Sequence, residues 1–203
     1  MTLDAYPHKR LPGDPGGRML FVFHGTGGDE NQFLDAGQAL MPGATVISPR
    51  GDVSEHGSAR FFRRTGEGVY DMDDLARATG RMADFVRAHV DAEKPAAVFG
   101  LGYSNGANIL ASTLFAEPHL FDAAVLMHPL IPFDPGDVDL KGRRVLITAG
   151  RRDPICPPPL TTRLEAWLRD RGADVIVDWH EGGHEIRQSE IEAARRFLNP
   201  VGA

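Results

Sequence analysis

Ala96-Ala97-Val98-Phe99, an apolar run, leads into Gly102-Tyr103-Ser104-Asn105-Gly106, and a helix-like run from Ala107 to Phe115 leads out of it. Strand, tight Gly-x-Ser-x-Gly turn and helix is the context that separates a nucleophile elbow from a chance match. Such an elbow holds a serine on a sharp, strained turn with its hydroxyl clear of the backbone. Glycines flank it because a Cβ at either position would crowd the turn. With 23 glycines among 203 residues the pentapeptide alone carries little weight. The plainer reading, a Gly-rich β-to-α turn with a surface serine, loses ground once the flanking strand and helix are counted.

Similar apolar runs recur along the chain: Met19 to Phe23, Thr45 to Ile47, Ala123 to Met127, Val145 to Thr148 and Val175 to Trp179. Most lack polar alternation, which predicts strands buried on both faces, as in a parallel sheet. Helical stripes lie between them. Leu75, Ala78, Met82, Phe85, Val86 and His89 form one, closed by Pro95. Ala107, Leu110, Ala111, Leu114 and Phe115 form a second. Leu160, Leu164, Trp167 and Leu168 form a third, with Gly172 as its stop signal. Ser189 and Glu192 read as the capping box of a last helix with an inner face of Ile191, Ala194 and Leu198. Asp29 to Leu40 gives a weaker helical pattern. The first 18 residues predict an edge hairpin or an ordered loop. Alternating β and α elements imply one α/β domain over residues 1–203, a mostly parallel sheet with helices on both faces. Only Pro49 to Tyr70 is long enough to be a functional loop, which leaves little room for a cap.

A serine hydroxyl needs a base to take its proton and a third group to orient that base. Asp153 follows the strand Val145 to Thr148, and His184 follows the strand Val175 to Trp179. With Ser104 they stand in the chain order of such a triad, each past the carboxyl end of its own strand, where α/β sheets place their sites. The alternatives are an Asp153 that caps the helix near Pro157 and a solvent-exposed His184. His128 ends a strand and is placed to line the pocket. His180-Glu181-Gly182-Gly183-His184 spells a zinc motif, but that motif needs a helix, and two glycines after a strand oppose one. No metal is therefore expected. For the oxyanion, the backbone N–H of Asn105 is one expected donor. The other comes from His24-Gly25-Thr26-Gly27-Gly28-Asp29, with Thr26 the best placed. These glycines fit neither phosphate-cradling pattern, so no nucleotide cofactor is expected.

The chain is 42% hydrophobic and 25% charged, with a net charge of −6. That balance speaks against nucleic acid and against anionic membrane, both of which reward a basic face. Arg60, Arg63 and Arg64 cluster, a feature read either as attraction for an acidic substrate group or as solvated surface charge. A lone cysteine, Cys156, cannot form a disulfide within the chain. Met1-Thr2-Leu3-Asp4-Ala5-Tyr6 lacks signal-peptide character, and no apolar run approaches the roughly 20 residues of a membrane helix. The expectation is a cytoplasmic protein.

These motifs resemble the phospholipase/carboxylesterase family of α/β-hydrolases, the acyl-protein thioesterases and their small bacterial carboxylesterase relatives. The likeness rests on Phe23 to Glu30, Gly102 to Asn108, Asp153-Pro154-Ile155-Cys156-Pro157 and Gly182-Gly183-His184. It implies an α/β-hydrolase fold with minimal cap, no cofactor, a Ser104/Asp153/His184 triad and an oxyanion hole at Thr26 and Asn105. It also implies substrate contacts from Ile155 and from Phe61 and Phe62, in a loop, Ser58 to Arg63, that carries an aromatic to the acyl pocket; the alternative for these aromatics is a hydrophobic staple for a long loop. Acyl-protein thioesterases carry Gln where this chain has Asn105, and their acid loop differs. The expected partner is a small-molecule ester with a short acyl chain or a small aromatic group. Thioesterase or lysophospholipase chemistry on the same residues is the alternative, and a non-catalytic small-ligand receptor on this scaffold is the reading from another class. Monomer and homodimer both stay open.

Overall fold

In the computed structural model the apolar runs become the strands of one seven-stranded sheet, ordered β1-β3-β2-β8-β9-β10-β11. Residues 2–200 are described; Met1 and residues 201–203, the ends of the expected 1–203 domain, lie outside them. In chain order the elements are β1 (His8–Leu11), β2 (Arg18–Phe23), α1 (Leu34–Leu40), β3 (Thr45–Pro49), β4 (Val53–Glu55), β5 (Ser58–Arg60), β6 (Arg64–Gly66) and β7 (Val69–Tyr70). They continue with α2 (Met72–Glu93), β8 (Ala97–Tyr103), α3 (Asn105–Ala116), β9 (Ala123–Met127), β10 (Arg144–Gly150), α4 (Pro158–Asp170), β11 (Asp174–His180) and α5 (Gln188–Leu198). The sheet is parallel except at β1, which pairs antiparallel with β3. This is the α/β-hydrolase architecture. Among the described residues no helix is long and apolar enough to cross a membrane.

Alternation along β2 divides the core. Met19, Phe21 and Phe23 join the apolar cluster that α2, α3 and α4 cover, while Leu20 and Val22 face the cluster under α1 and α5. Close approach is built in with glycine. A Cβ on Gly100 would lie 2.5 Å from Leu110 Cδ1, so Gly100 lets α3 settle on β8. At the open ends of the helices, Asp71 Oδ1 accepts the Asp74 N–H at 3.0 Å and caps α2. Gly172, at φ 87°, ends α4 as its position suggested.

Four local expectations change. The N-terminal segment is a single edge strand, β1, not a hairpin. Helix α1 begins at Leu34 rather than Asp29 because Asp29 Oδ1 accepts the Asn31 N–H at 2.8 Å, an Asx turn that competes with helix. The last helix starts one residue before Ser189. Its N-cap is Arg187, whose N–H donates to Oε2 of Glu190, the third helical residue, at 2.7 Å, so the Ser189–Glu192 register is wrong. Residues Pro49 to Tyr70 are not a bare loop but two short ribbons, β4–β5 and β6–β7.

Candidate active site

The elbow forms where the sequence puts it. Ser104 sits between β8 and α3 at φ 52°, ψ −116°, a left-handed conformation that side chains rarely adopt. Its N–H donates to Met127 O at 2.9 Å, which ties the turn to the neighbouring strand. Both flanking glycines are required sterically. A Cβ on Gly102 would lie 2.4 Å from Gly106 O, and one on Gly106 would lie 2.3 Å from Phe23 O.

Asp153 and His184 arrive at the same edge from the loops after β10 and β11. His184 Nε2 lies 2.9 Å from Ser104 Oγ, and His184 Nδ1 lies 2.8 Å from Asp153 Oδ2. Asp153 is buried, and its Oδ1 accepts the N–H groups of Ile155 and Cys156 at 2.8 and 2.9 Å. Burial opposes its charge. Hydrogen bonds from His128, His184 and the Cys156 amide outweigh that and hold the carboxyl well below the usual range. A carboxylate only accepts, so His184 Nδ1 carries the proton and Nε2 presents a lone pair to the serine hydroxyl. The Tyr103 hydroxyl donates to His184 O at 2.7 Å and steadies the histidine loop.

The loop from His24 to Asp29 is organised with equal care. His24 Nε2 accepts the Gly51 N–H at 2.9 Å, and its Nδ1 donates to Gly25 O at 2.7 Å. Burial lowers its pKa and keeps it neutral. Gly25 passes against Tyr103, where a Cβ would meet the ring at 2.7 Å. Among the described residues, neither the Thr26 N–H nor the Asn105 N–H has an acceptor within the protein. Both residues line a cavity of about 380 Å³ together with Ser104 and His184.

Ile155 also lines this cavity; Phe61 and Phe62 do not. Both rings are fully buried, Phe61 against Phe23 and His24 and Phe62 against Tyr70, so neither is placed to touch a substrate. Their segment has another part. Ala59 O accepts the Gly27 N–H at 3.0 Å, Arg60 Nη1 donates to Thr26 Oγ1 at 2.7 Å, and the Phe61 N–H donates to Asn105 Oδ1 at 2.8 Å. Residues 59–61 thus splint the Thr26 loop to the start of α3. Arg60 itself lines the cavity, as do Arg64, Tyr70, Asn108 and Leu130, while Arg63 pairs with Asp71 and Asp74 instead. The sequence signal for Asn108 was its place one helical turn after Ser104; Tyr70 and Leu130 carried none. Cys156 is buried beside the cavity, and burial pushes its thiol up, away from reactivity.

His180 and His184 share no helical face. His180 ends β11 and turns to Glu190, while His184 turns to Asp153. Among the described residues two trios of metal-capable side chains lie together: His128, Asp153 and His184, and His128, His180 and Glu190. His128 belongs to both.

The chain is similar to known proteins in sequence and in structure. No family model matches the chain. MhqD of Bacillus subtilis (strain 168), whose name goes no further than hydrolase, is 40% identical over 182 residues, covering 88% of this chain and 91% of MhqD. The crystal structure of Atu2452 from Agrobacterium tumefaciens, a protein of unknown function, superposes with a TM-score of 0.94 at 62% identity, covering 98% of each chain. A carboxylesterase from Bacillus cereus superposes with a TM-score of 0.89 at 36% identity, covering 94% of this chain and 92% of its own.

Proposed function

The chain belongs to the phospholipase/carboxylesterase family of α/β-hydrolases, and from that premise we propose that it is a serine carboxylesterase acting on short-chain or small aromatic esters. The observation that carries the reading is the continuous hydrogen-bonded line Ser104 Oγ, His184, Asp153, ending at a cavity with two unpaired backbone N–H groups. Ser104 Oγ attacks the ester carbonyl as His184 Nε2 takes its proton. Thr26 and Asn105 donate to the oxyanion, each donor worth about 2.7–4 kcal/mol of barrier. The intermediate collapses as His184 returns the proton to the leaving alcohol. Water, deprotonated by His184, then releases the acid from the acyl-enzyme. Asp153 holds the useful tautomer and stabilises the imidazolium without itself being protonated.

The cavity's modest volume and the near absence of a cap support small substrates. A fluorophosphonate is expected to label Ser104, located by peptide mapping, and Ser104→Ala is expected to lose ester turnover while Ser112→Ala keeps it. Label elsewhere, or equal turnover in both variants, overturns the mechanism. Among p-nitrophenyl esters, acetate and butyrate should outrun decanoate; the reverse order overturns the substrate class.

A further inference from the structure

Asp153 Oδ2 serves two imidazoles, and the mechanism above uses only one. His128 follows β9, is fully buried and sits at φ 51°, a conformation a histidine holds only where its surroundings impose it. Its Nδ1 lies 2.8 Å from Asp153 Oδ2, and its Nε2 lies 3.1 Å from Glu190 Oε1. Glu190, also buried, accepts the Thr148 hydroxyl on Oε1 at 2.5 Å and the Arg187 N–H on Oε2 at 2.7 Å. Between two carboxylates that only accept, both nitrogens of His128 must donate, and an imidazole with two donors is an imidazolium.

His180 Nε2 lies 3.5 Å from His128 Nε2, a donor facing a donor, and Glu190 between them accepts from both, Oε1 from His128 and Oε2 from His180. His180 Nδ1 accepts the Gly182 N–H at 3.0 Å, so its proton sits on Nε2, 3.3 Å from Glu190 Oε2. That protonated Nε2 has no lone pair for a cation, which removes His180 from the trio with metal-ligand spacing. The Tyr103 ring lies 5.9 Å and the His184 ring 5.1 Å from the His128 ring. The Cys156 thiol donates to His128 O at 3.2 Å. Burial opposes charge on His128, yet the bonds to Asp153 and Glu190 prevail and raise its pKa to about 9.

We propose that His128 is a positioning residue, a standing imidazolium clamped between Asp153 and Glu190 that aims the Asp153 carboxylate at His184 and places a like charge beside the one His184 gains in turnover. This rests on the triad reading above. The clamp holds the same Asp153 oxygen that His184 binds. The His128 and His184 rings are 5.1 Å apart, so the charge on His128 opposes the one His184 acquires during turnover.

The test has two arms. In ¹⁵N-histidine-labelled protein at pH 7.5, His128 should show both ring nitrogens protonated, its signals identified by their loss in His128→Asn. Glu190→Gln should lower the pH at which they titrate. In ester hydrolysis, His128→Asn, which keeps a donor toward Asp153 but not the charge, should move the acid limb of the kcat/KM profile upward by about one pH unit. A neutral His128 in the spectrum overturns the proposal. So does an unmoved acid limb in a folded variant, since that marks packing alone, and so does a stoichiometric divalent metal lost in His180→Asn. If fluorophosphonate fails to label Ser104, the triad reading falls while the spectrum still reports on the clamp.

Discussion

Asn105 acts through its backbone and its side chain separately. The side-chain Oδ1 holds the Phe61 N–H, while Nδ2 is buried without a partner. Asn105→Ala keeps the backbone donor and orphans the Phe61 amide, a cost of about 1–3 kcal/mol that urea unfolding would read. Its kcat should fall with it, because the splint to Thr26 loosens. Asp153→Asn should cost about 10⁴-fold in kcat, since an amide has one acceptor oxygen and cannot serve both the two imidazoles and the Ile155 and Cys156 N–H groups. A stopped assay with a short-chain ester checks this, and a near-normal kcat would contradict the orienting role. Asp153 and His184 were legible from chain order and from their places just past the ends of their own strands. His128 was visible only as a strand end, because nothing in a linear sequence says that Glu190, many residues later, folds back against it.

The elbow shows how far an element can be read. Gly-x-Ser-x-Gly predicts a turn, and the backbone explains why both glycines are needed. Gly106→Ala should destabilise the protein by about 3 kcal/mol or more, because β2 backbone must move to clear the Cβ. Gly80→Ala, on the exposed face of α2 with nothing within 4 Å, should instead stabilise by about 0.5–1 kcal/mol. Thermal midpoints of the two variants separate the cases, and a shared direction would refute the steric account. In the segment from Ser58 to Arg63 the substrate-contact reading of Phe61 and Phe62 fails and the staple reading holds, because aromatic content marks burial and binding alike. Only packing tells them apart, and here Phe61 and Phe62 anchor the splint while Arg60 reaches the cavity.

For the molecule as a whole, the buried charges at the strand ends link stability to pH. His128 is held charged, so its contribution is complete below its unfolded value near 6.5 and is lost as pH rises toward about 9. That loss is on the order of 3 kcal/mol. Asp153 and Glu190 are held ionised below their ordinary ranges, so their contribution is present above about pH 4.5 and is lost as pH falls through the folded values. Urea midpoints should therefore peak between about pH 4.5 and 6.5 and decline on both sides. In His128→Asn the alkaline decline should flatten; an unchanged slope would show that His128 does not carry it.

Local pattern was enough for the strands, the main helices, the elbow and the order serine, aspartate, histidine, because hydrophobic periodicity and turn sterics act over a few residues. Packing had to choose among the rest. It buried the aromatics of residues 58–63, moved the last helix cap to Arg187, and put one carboxylate oxygen between two imidazoles. Those outcomes depend on groups brought together from distant strands inside a low-dielectric interior, where unpaired polar atoms are costly and a hydrogen-bond partner decides which side chain stays.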